Sequence, residues 1–420
     1  MKKIVAVGAL AAMAAGIAFA DGITFGSWGR GIWNTAASAY SKSTGDNDVI
    51  TDSTQSWGGA GPRTALSIHG TTAQVGFDLD VFGNGTSLGI GDNALIWTKP
   101  IEQIKLTLGK IDKNELRGDG CFGLWNWDRI GSVGKQDQEG LTFPDLLDNQ
   151  GASVSVYPVK GLTVGYSIPL SLDGTDASGN VTDSDESDDI DYTLAQTYAN
   201  HGKYAAAYAI PDIGTIKIGA QAQPKYYNKD GEKKDVTLVN AAFDLTAVKN
   251  FYFSVGAEIP TASVYNKTSG DLPTKIPTKV NAYARYTLDK MVIHGLVGTK
   301  IDCADIRKDK DDPADTKEDG QLGYQIGLGI DYAFEKTVSV FADVRYANGI
   351  YMDGASYKKG IDGAYNKADC ITAGAGIVKG FSNGSIGIGV ECATNDYGRY
   401  SMKSSDDMAW EIPIRFEYSF

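Results

Sequence analysis

Apolar and polar side chains alternate with a period of two along most of the chain after residue 21. The clearest stretch covers residues 74–81, in which Val75, Phe77 and Leu79 share one face and Asp78 lies on the other. A period of two is the pattern of a β-strand, because successive side chains point to opposite faces of a sheet. The alternation therefore predicts strands that have one apolar side and one polar side.

This pattern predicts an all-β chain of about eighteen strands, with sixteen as the alternative count. The predicted strands lie near residues 22–33, 63–69, 73–82, 87–98, 103–112, 150–157, 161–170, 202–210, 214–223, 235–246, 250–259, 279–288, 291–301, 321–332, 336–346, 369–378, 384–393 and 407–420. The sequence has no internal repeat of fixed period, which counts against a solenoid or a propeller.

Short and long connections alternate between these strands. The long ones are polar and cover residues 34–62, 113–149, 171–201, 260–278, 302–320, 347–368 and 394–406. The exception is residues 83–86, a tight loop on the long side. Short turns at one end and long loops at the other are typical of a transmembrane antiparallel up-and-down β-barrel, with periplasmic turns and extracellular loops. A soluble sandwich or propeller has no reason to keep this asymmetry.

The first twenty residues have the pattern of an export signal. A basic start with Lys2 and Lys3 precedes an apolar core, and Ala18-Phe19-Ala20 has the A-x-A form of a cleavage site. We expect residues 1–20 to be a signal peptide that is cleaved after Ala20, with residues 21–420 forming a single barrel. The alternative is a retained membrane anchor.

The last strand carries the most specific pattern. Between Trp410 and Phe420, every second residue is apolar or aromatic, and the chain ends on a terminal Phe. A chain that ends in this way resembles the bacterial outer-membrane β-barrel proteins, and the whole pattern resembles the porins. The resemblance implies location in the bacterial outer membrane, contact with its lipid, and reading of Tyr418 and Phe420 by the barrel-assembly machinery. Many porins are trimers, so a homotrimer is one expectation.

Composition and charge exclude two other classes. The chain has 51 glycines and 22 tyrosines among 420 residues, and glycine is well above its typical share of about 7%. Only the N-terminus holds an apolar run near the length of a membrane helix, which rules out a multi-span α-helical membrane protein. The formal charge of −13 makes nucleic acid an improbable partner, because phosphate binding needs a basic surface.

The third long loop is the candidate for narrowing the pore. In porins this loop folds inward, so the resemblance implies that residues 113–149 form a constriction. Its charged candidates are Arg117, Asp119, Asp128, Arg129, Asp137, Glu139 and Asp145. Its aromatic residues Phe122, Trp125 and Trp127 would stack on sugar rings, as in maltoporin-like channels, or else pack the loop against the wall. An ordinary solvated external loop is the alternative.

Strand parity places a set of basic residues inside the barrel. The predicted pore-lining residues are Arg30, Arg63, Lys105, Arg285, Arg345 and Arg415. Barrel closure brings the last strand beside the first, so Arg30, Arg63 and Arg415 fall on three adjoining strands. A basic wall that faces an acidic loop would create a transverse field across the pore. The alternative is that these are solvated groups paired with Asp78, Glu411 and Glu417.

The sequence offers no catalytic or metal-binding motif. Its three histidines are not paired with a serine in any recognisable arrangement, and the four cysteines have no CxxC or zinc-like spacing. The cysteines Cys121, Cys303, Cys370 and Cys392 all fall on the long-loop side. Parity puts Cys370 and Cys392 on opposite faces, which counts against a bridge between them, and the pairing is left open. The acidic stretch 183–189 is a calcium candidate or, alternatively, a solvated tip. We therefore expect no enzyme activity, cofactor or resident metal.

These observations favour a porin for small hydrophilic solutes and ions. Two alternatives stay open at this point. One is a surface protein whose long loops act as adhesins or receptors while the barrel serves as an anchor. The other is a sugar-selective channel similar to the maltoporins.

Overall fold

A computed structural model describes residues 22–41, 45, 47–49, 54–56, 59–60, 63–84, 87–111, 116, 150–169, 202–227, 233–266, 274–303, 306–308, 316–318, 321–351, 357–359, 365–367, 369–394 and 407–420. Its main feature is a closed antiparallel barrel of eighteen strands. In chain order the strands are β1 Ile23–Tyr40, β2 Arg63–Thr71, β3 Val75–Asn84, β4 Ser87–Ile101, β5 Ile104–Lys110, β6 Gln150–Val159, β7 Leu162–Pro169, β8 Lys203–Ile210, β9 Gly214–Tyr227, β10 Lys233–Leu245, β11 Phe251–Pro260, β12 Thr278–Leu288, β13 Met291–Cys303, β14 Gln321–Glu335, β15 Val338–Ala347, β16 Cys370–Phe381, β17 Gly384–Thr394 and β18 Met408–Ser419.

Each barrel strand pairs with the next one along the chain, and β18 returns to pair with β1. The closing register runs from Trp28 opposite Ser419 to Tyr40 opposite Met408, with one irregularity between Asn34 and Ala36. Closure leaves no strand of the barrel with an unpaired edge, which satisfies the backbone hydrogen-bonding groups all the way around. The prediction of an antiparallel up-and-down barrel of about eighteen strands is confirmed.

The connections follow the predicted asymmetry. At one end of the barrel, which we call the short-turn end, two to five residues join successive strands. Both Ile23 and Ser419 lie at this end, because the strand number is even. The tight loop predicted on the other side is present, since Asn84 of β3 faces Ser87 of β4 in register.

The prediction of a single loop over residues 34–62 is wrong. The strand β1 continues to Tyr40, because its second half pairs with β18. Short strands Asn47–Val49 and Thr54–Ser56 then pair back onto β1. The alternation of apolar and polar residues is weak in the second half of β1. These residues form a strand because their backbone pairs with β18, and their side-chain pattern does not indicate it.

The two faces of the wall differ in chemistry. The outer face carries exposed apolar side chains, among them Ile96 at 60% exposure and Leu328 at 58%. The inner face carries buried polar and charged side chains, among them Asn281, Arg345 and Glu411. This distribution is the inverse of a soluble protein, in which large exposed apolar surfaces are rare. Among the described residues, no helix is long and apolar enough to cross a membrane.

Candidate functional site

The inner face of β18, β1 and β2 holds a compact group of charged side chains. Arg30 of β1 lies directly opposite Arg63 of β2 on one side and Glu417 of β18 on the other. Arg415 lies on the same face of β18, two positions before Glu417, and faces Ile32 in register. The structure therefore brings Arg30, Arg63 and Arg415 together on three adjoining strands.

An acidic side chain lies between two of these arginines. Nη2 of Arg30 donates to Oε1 of Glu417 at 3.1 Å, and Nη2 of Arg415 is 3.8 Å from Oε2 of the same carboxylate. Arg30 is only 8% exposed, whereas the side chain of Glu417 is 37% exposed. The carboxylate thus offsets part of the positive charge while it holds both guanidinium groups in place. We refer to Arg30, Arg63, Arg415 and Glu417 as the seam cluster.

The third arginine of the seam cluster packs against aromatic rings. Cζ of Arg63 lies 4.4 Å from the ring centroid of Phe82 and 5.3 Å from that of Trp28. Guanidinium groups are attracted to the faces of aromatic rings, which fixes their position without removing their charge. Both rings come from neighbouring strands, since Phe82 lies on β3 and Trp28 on β1.

The other predicted basic residues also lie on the inner face, but away from the seam cluster. Arg345 is 2% exposed and sits in β15, opposite Thr372 of β16. Lys105 is the second residue of β5, and its Nζ lies 5.3 Å from the ring of Trp97 at the short-turn end. Arg285 also lies near that end, with Cζ 5.7 Å from the ring of Tyr252. The six residues therefore line four separate parts of the interior: the seam cluster, β15, β5 and β12.

The predicted constriction falls mostly outside the described residues. This holds for the charged candidates Arg117, Asp119, Asp128, Arg129, Asp137, Glu139 and Asp145, and for the aromatic candidates Phe122, Trp125 and Trp127. One residue of the third loop is described: Leu116 is 4% exposed and packs against Ala205, with Ala207 beside it. These alanines share the inner face of β8 with Lys203. The loop therefore meets the interior wall at Leu116.

The assembly residues lie at the closing seam. The ring of Tyr418 covers Gly29 of β1, where an added Cβ would meet Cε1 of the ring at 2.2 Å. The Phe420 side chain is 73% exposed on the outer face, with its ring centroid 5.5 Å from that of Tyr418. Two backbone hydrogen bonds join Phe420 to Ser27.

Several inner-face pairs were not predicted from sequence. Lys217 of β9 pairs with Asp244 of β10 at 2.9 Å, and Lys279 of β12 pairs with Glu258 of β11 at 3.4 Å. Strand register, and not parity, determines these partners. The register is not readable from the alternation, so this information was missing from the sequence.

A histidine network was also missed. His294 of β13 is 8% exposed and contacts Asp331 through Nε2, while its Nδ1 lies 2.8 Å from the Tyr283 hydroxyl. A second histidine, His69, contacts Asp78 on the neighbouring strand. Within the part of the chain that the structure describes, no three His, Cys, Asp or Glu side chains are placed to hold a metal ion.

The cysteines follow strand parity where they are described. Cys370 is buried in a cluster with Ala347 and Tyr351, and Cys392 is partly exposed in β17. Cys392 faces Ala373 in register, so its side chain and that of Cys370 lie on opposite faces of the wall. Cys121 and the side chain of Cys303 lie outside the described residues.

Solved structures with the same barrel fold come from several bacteria. OccK10 (OpdN) of Pseudomonas aeruginosa is 9% identical with a TM-score of 0.50, over 95% of this chain and 99% of that chain. The anion-selective porin from Comamonas acidovorans is 11% identical with a TM-score of 0.49, over 95% and 99%. OccK5 (OpdH) of Pseudomonas aeruginosa is 12% identical with a TM-score of 0.48, over 96% and 99%.

At these identities the likeness concerns the fold alone. The structural neighbours are bacterial outer-membrane porins. No family model matches the sequence, and no curated protein matches it.

Proposed function

We propose that this protein is a bacterial outer-membrane porin that lets small hydrophilic solutes and ions diffuse passively through a water-filled channel. The observation that carries the proposal is the closed barrel with apolar side chains outside and charged side chains such as Arg30 and Arg345 inside. An apolar outer wall is stable against hydrocarbon, and barrels of this size enclose an aqueous lumen unless something fills it. The porin neighbours agree with a channel rather than an enzyme.

Two further elements belong to this proposal. Residues 1–20 would direct export and be removed after Ala20, which leaves a chain that begins at Asp21. The third loop, residues 113–149, would fold inward and form the constriction with its charged residues facing the seam cluster. The packing of Leu116 on the inner-face residue Ala205 supports this course of the loop.

The proposed partners follow from location and fold. The outer face would contact membrane lipid, and the last strand would be read by the barrel-assembly machinery through Tyr418 and Phe420. A homotrimer is the oligomeric state that the porin resemblance implies. Chemical cross-linking of the protein in native membranes, followed by electrophoresis, tests the trimer directly.

The decisive experiment is electrical. Purified protein is refolded in detergent, its β-structure is verified by circular dichroism, and single-channel currents are recorded in planar bilayers. A porin gives stepwise currents, and liposome swelling with sugars of increasing size then gives a smooth size cut-off. Folded protein that produces no steps would contradict the proposal and favour a surface anchor, whereas saturable current block by maltooligosaccharides would favour a sugar-selective channel.

A further inference from the structure

The chain that follows β15 turns inward onto the barrel wall. The turn is built by Asn348, whose Nδ2 donates to the Leu322 carbonyl at 2.9 Å. Its Oδ1 accepts from the backbone N–H of Tyr324 at 2.9 Å and from that of Tyr351 at 3.0 Å. One side chain thus ties the turn to the first residues of β14 and sets the direction of the chain that follows.

Tyr351 is held on the inner face of β13 and β14. Nε2 of Gln325 donates to the Tyr351 hydroxyl at 2.7 Å, and Nζ of Lys300 donates to the Tyr351 carbonyl at 2.7 Å. Nζ of Lys300 also lies 4.9 Å from the centroid of the tyrosine ring. The exposures of Tyr351, Lys300 and Gln325 are 3%, 4% and 3%, so all three groups are removed from bulk water.

Two glycines make room for this contact. A Cβ added at Gly323 would lie 2.9 Å from Cα and 3.0 Å from the backbone nitrogen of Tyr351. A Cβ added at Gly298 would lie 2.8 Å from the Tyr351 hydroxyl oxygen and 2.7 Å from Oδ1 of Asn281. A larger residue at Gly323 therefore displaces the tyrosine backbone, and one at Gly298 crowds the tyrosine hydroxyl together with Oδ1 of Asn281. The recess is completed by Ala347 and Cys370, which cluster with Tyr351.

We propose that Tyr351 is a positioning residue that holds residues 348–351 inside the barrel, where they narrow the channel and cover the charge of Lys300. The inference rests on the proposed porin function. A segment that occupies the lumen reduces the cross-section of the channel that is open to water and ions. The contacts of Lys300 with the Tyr351 carbonyl and ring keep one positive charge away from permeating ions, which lowers the anion preference of the pore.

The principal test is Tyr351→Ala. Loss of the ring releases the segment, so the unitary conductance rises and liposome swelling extends to larger sugars. The reversal potential in a salt gradient shifts toward anion preference at low salt, because Lys300 becomes exposed to the pore. Tyr351→Phe keeps the ring and its contact with Nζ of Lys300, and it stays close to wild type in both measurements. Adding Lys300→Gln to Tyr351→Ala abolishes the selectivity shift and leaves the larger conductance.

The glycine variants provide an independent test that leaves Tyr351 intact. Gly323→Ala and Gly298→Ala displace the tyrosine and raise the conductance in the same way as Tyr351→Ala. Gly295→Ala is the matched control on β13, because its added Cβ meets only Leu328 Cδ2 at 3.8 Å and the Gly327 carbonyl at 4.0 Å. Heat-modifiable migration on gels verifies folding of each variant.

The outcomes separate the two proposals. Wild-type protein that forms no channel overturns the porin function itself. Wild-type protein that conducts, with folded Tyr351→Ala and Gly323→Ala variants of unchanged conductance and selectivity, overturns the role of Tyr351 alone. If Tyr351→Ala does not fold, unchanged conductance in the folded Gly298→Ala and Gly323→Ala variants overturns it equally.

Discussion

At the scale of single residues, the seam cluster makes a prediction about ion selectivity. Replacing Arg30, Arg63 and Arg415 together by Gln removes three positive charges from the inner wall. The lumen then attracts cations more strongly, so the reversal potential in a salt gradient shifts toward cation preference. The shift is largest at low salt, because the Debye length falls from ~8 Å at physiological ionic strength to ~3 Å at 1 M.

A substitution at Glu417, in the same cluster, is expected to shift the ion selectivity in the opposite direction. Glu417 lies between Arg30 and Arg415, so Glu417→Gln removes the negative charge that offsets them. This variant is expected to make the channel more anion-preferring. If neither variant moves the reversal potential at low salt, the seam cluster does not lie at the narrow part of the pore.

At the scale of a strand, we expect an added arginine to destabilise the protein more on the lipid-facing side of the wall than on the lumen-facing side. Leu328 is 58% exposed on the outer face near the middle of β14. Arginine at a lipid-facing midplane position costs about 2–4 kcal/mol, so Leu328→Arg lowers the free energy of unfolding by that amount in urea titrations of vesicle-inserted protein.

The control for this prediction comes from another strand. Gln325 is an inward position on β14, but its side chain donates to the Tyr351 hydroxyl. Ser153, half-buried on the inner face of β6, is the better choice because an arginine there reaches the lumen. An equal loss of stability for Leu328→Arg and Ser153→Arg would refute the assignment of the two faces.

At the scale of the whole molecule, barrel closure depends on the seam between β1 and β18. The backbone N–H of Phe420 donates to the Ser27 carbonyl at 2.7 Å, and the Ser27 N–H donates to the Phe420 carbonyl at 2.9 Å. Deleting Phe420 removes both hydrogen bonds together with the terminal side chain. We expect less heat-modifiable barrel in the outer membrane, measured on gels of membrane fractions.

A second variant separates closure from recognition. Phe420→Ala keeps the backbone bonds but removes a ring that is 73% exposed. If the machinery reads the ring, this variant assembles poorly in cells and yet refolds normally in detergent, whereas the deletion is impaired in both. Normal assembly of both variants at high expression would contradict the role of Phe420.

The local pattern was sufficient for the strands and their faces. All eighteen predicted strands are present, because a period of two is a property of neighbouring residues and survives without knowledge of partners. For the same reason parity puts Arg30, Arg63 and Arg415 on one face, and closure of an even-numbered barrel makes their strands neighbours. The opposite faces of Cys370 and Cys392 followed from the same argument.

Only the tertiary structure determines the ion-pair partners of the charged side chains and the inward turn after β15. The sequence offered Glu417 only as one of three possible partners for the inner arginines, and the closing register pairs it with Arg30 across 387 positions. Lys217 meets Asp244 because of a register that alternation leaves undetermined. The inward turn at Tyr351 lies in a segment predicted as an external loop, and it exists because glycines on two other strands leave a recess there. Side-chain alternation is local, whereas register, ion pairs and recesses arise between residues that only closure of the barrel brings together.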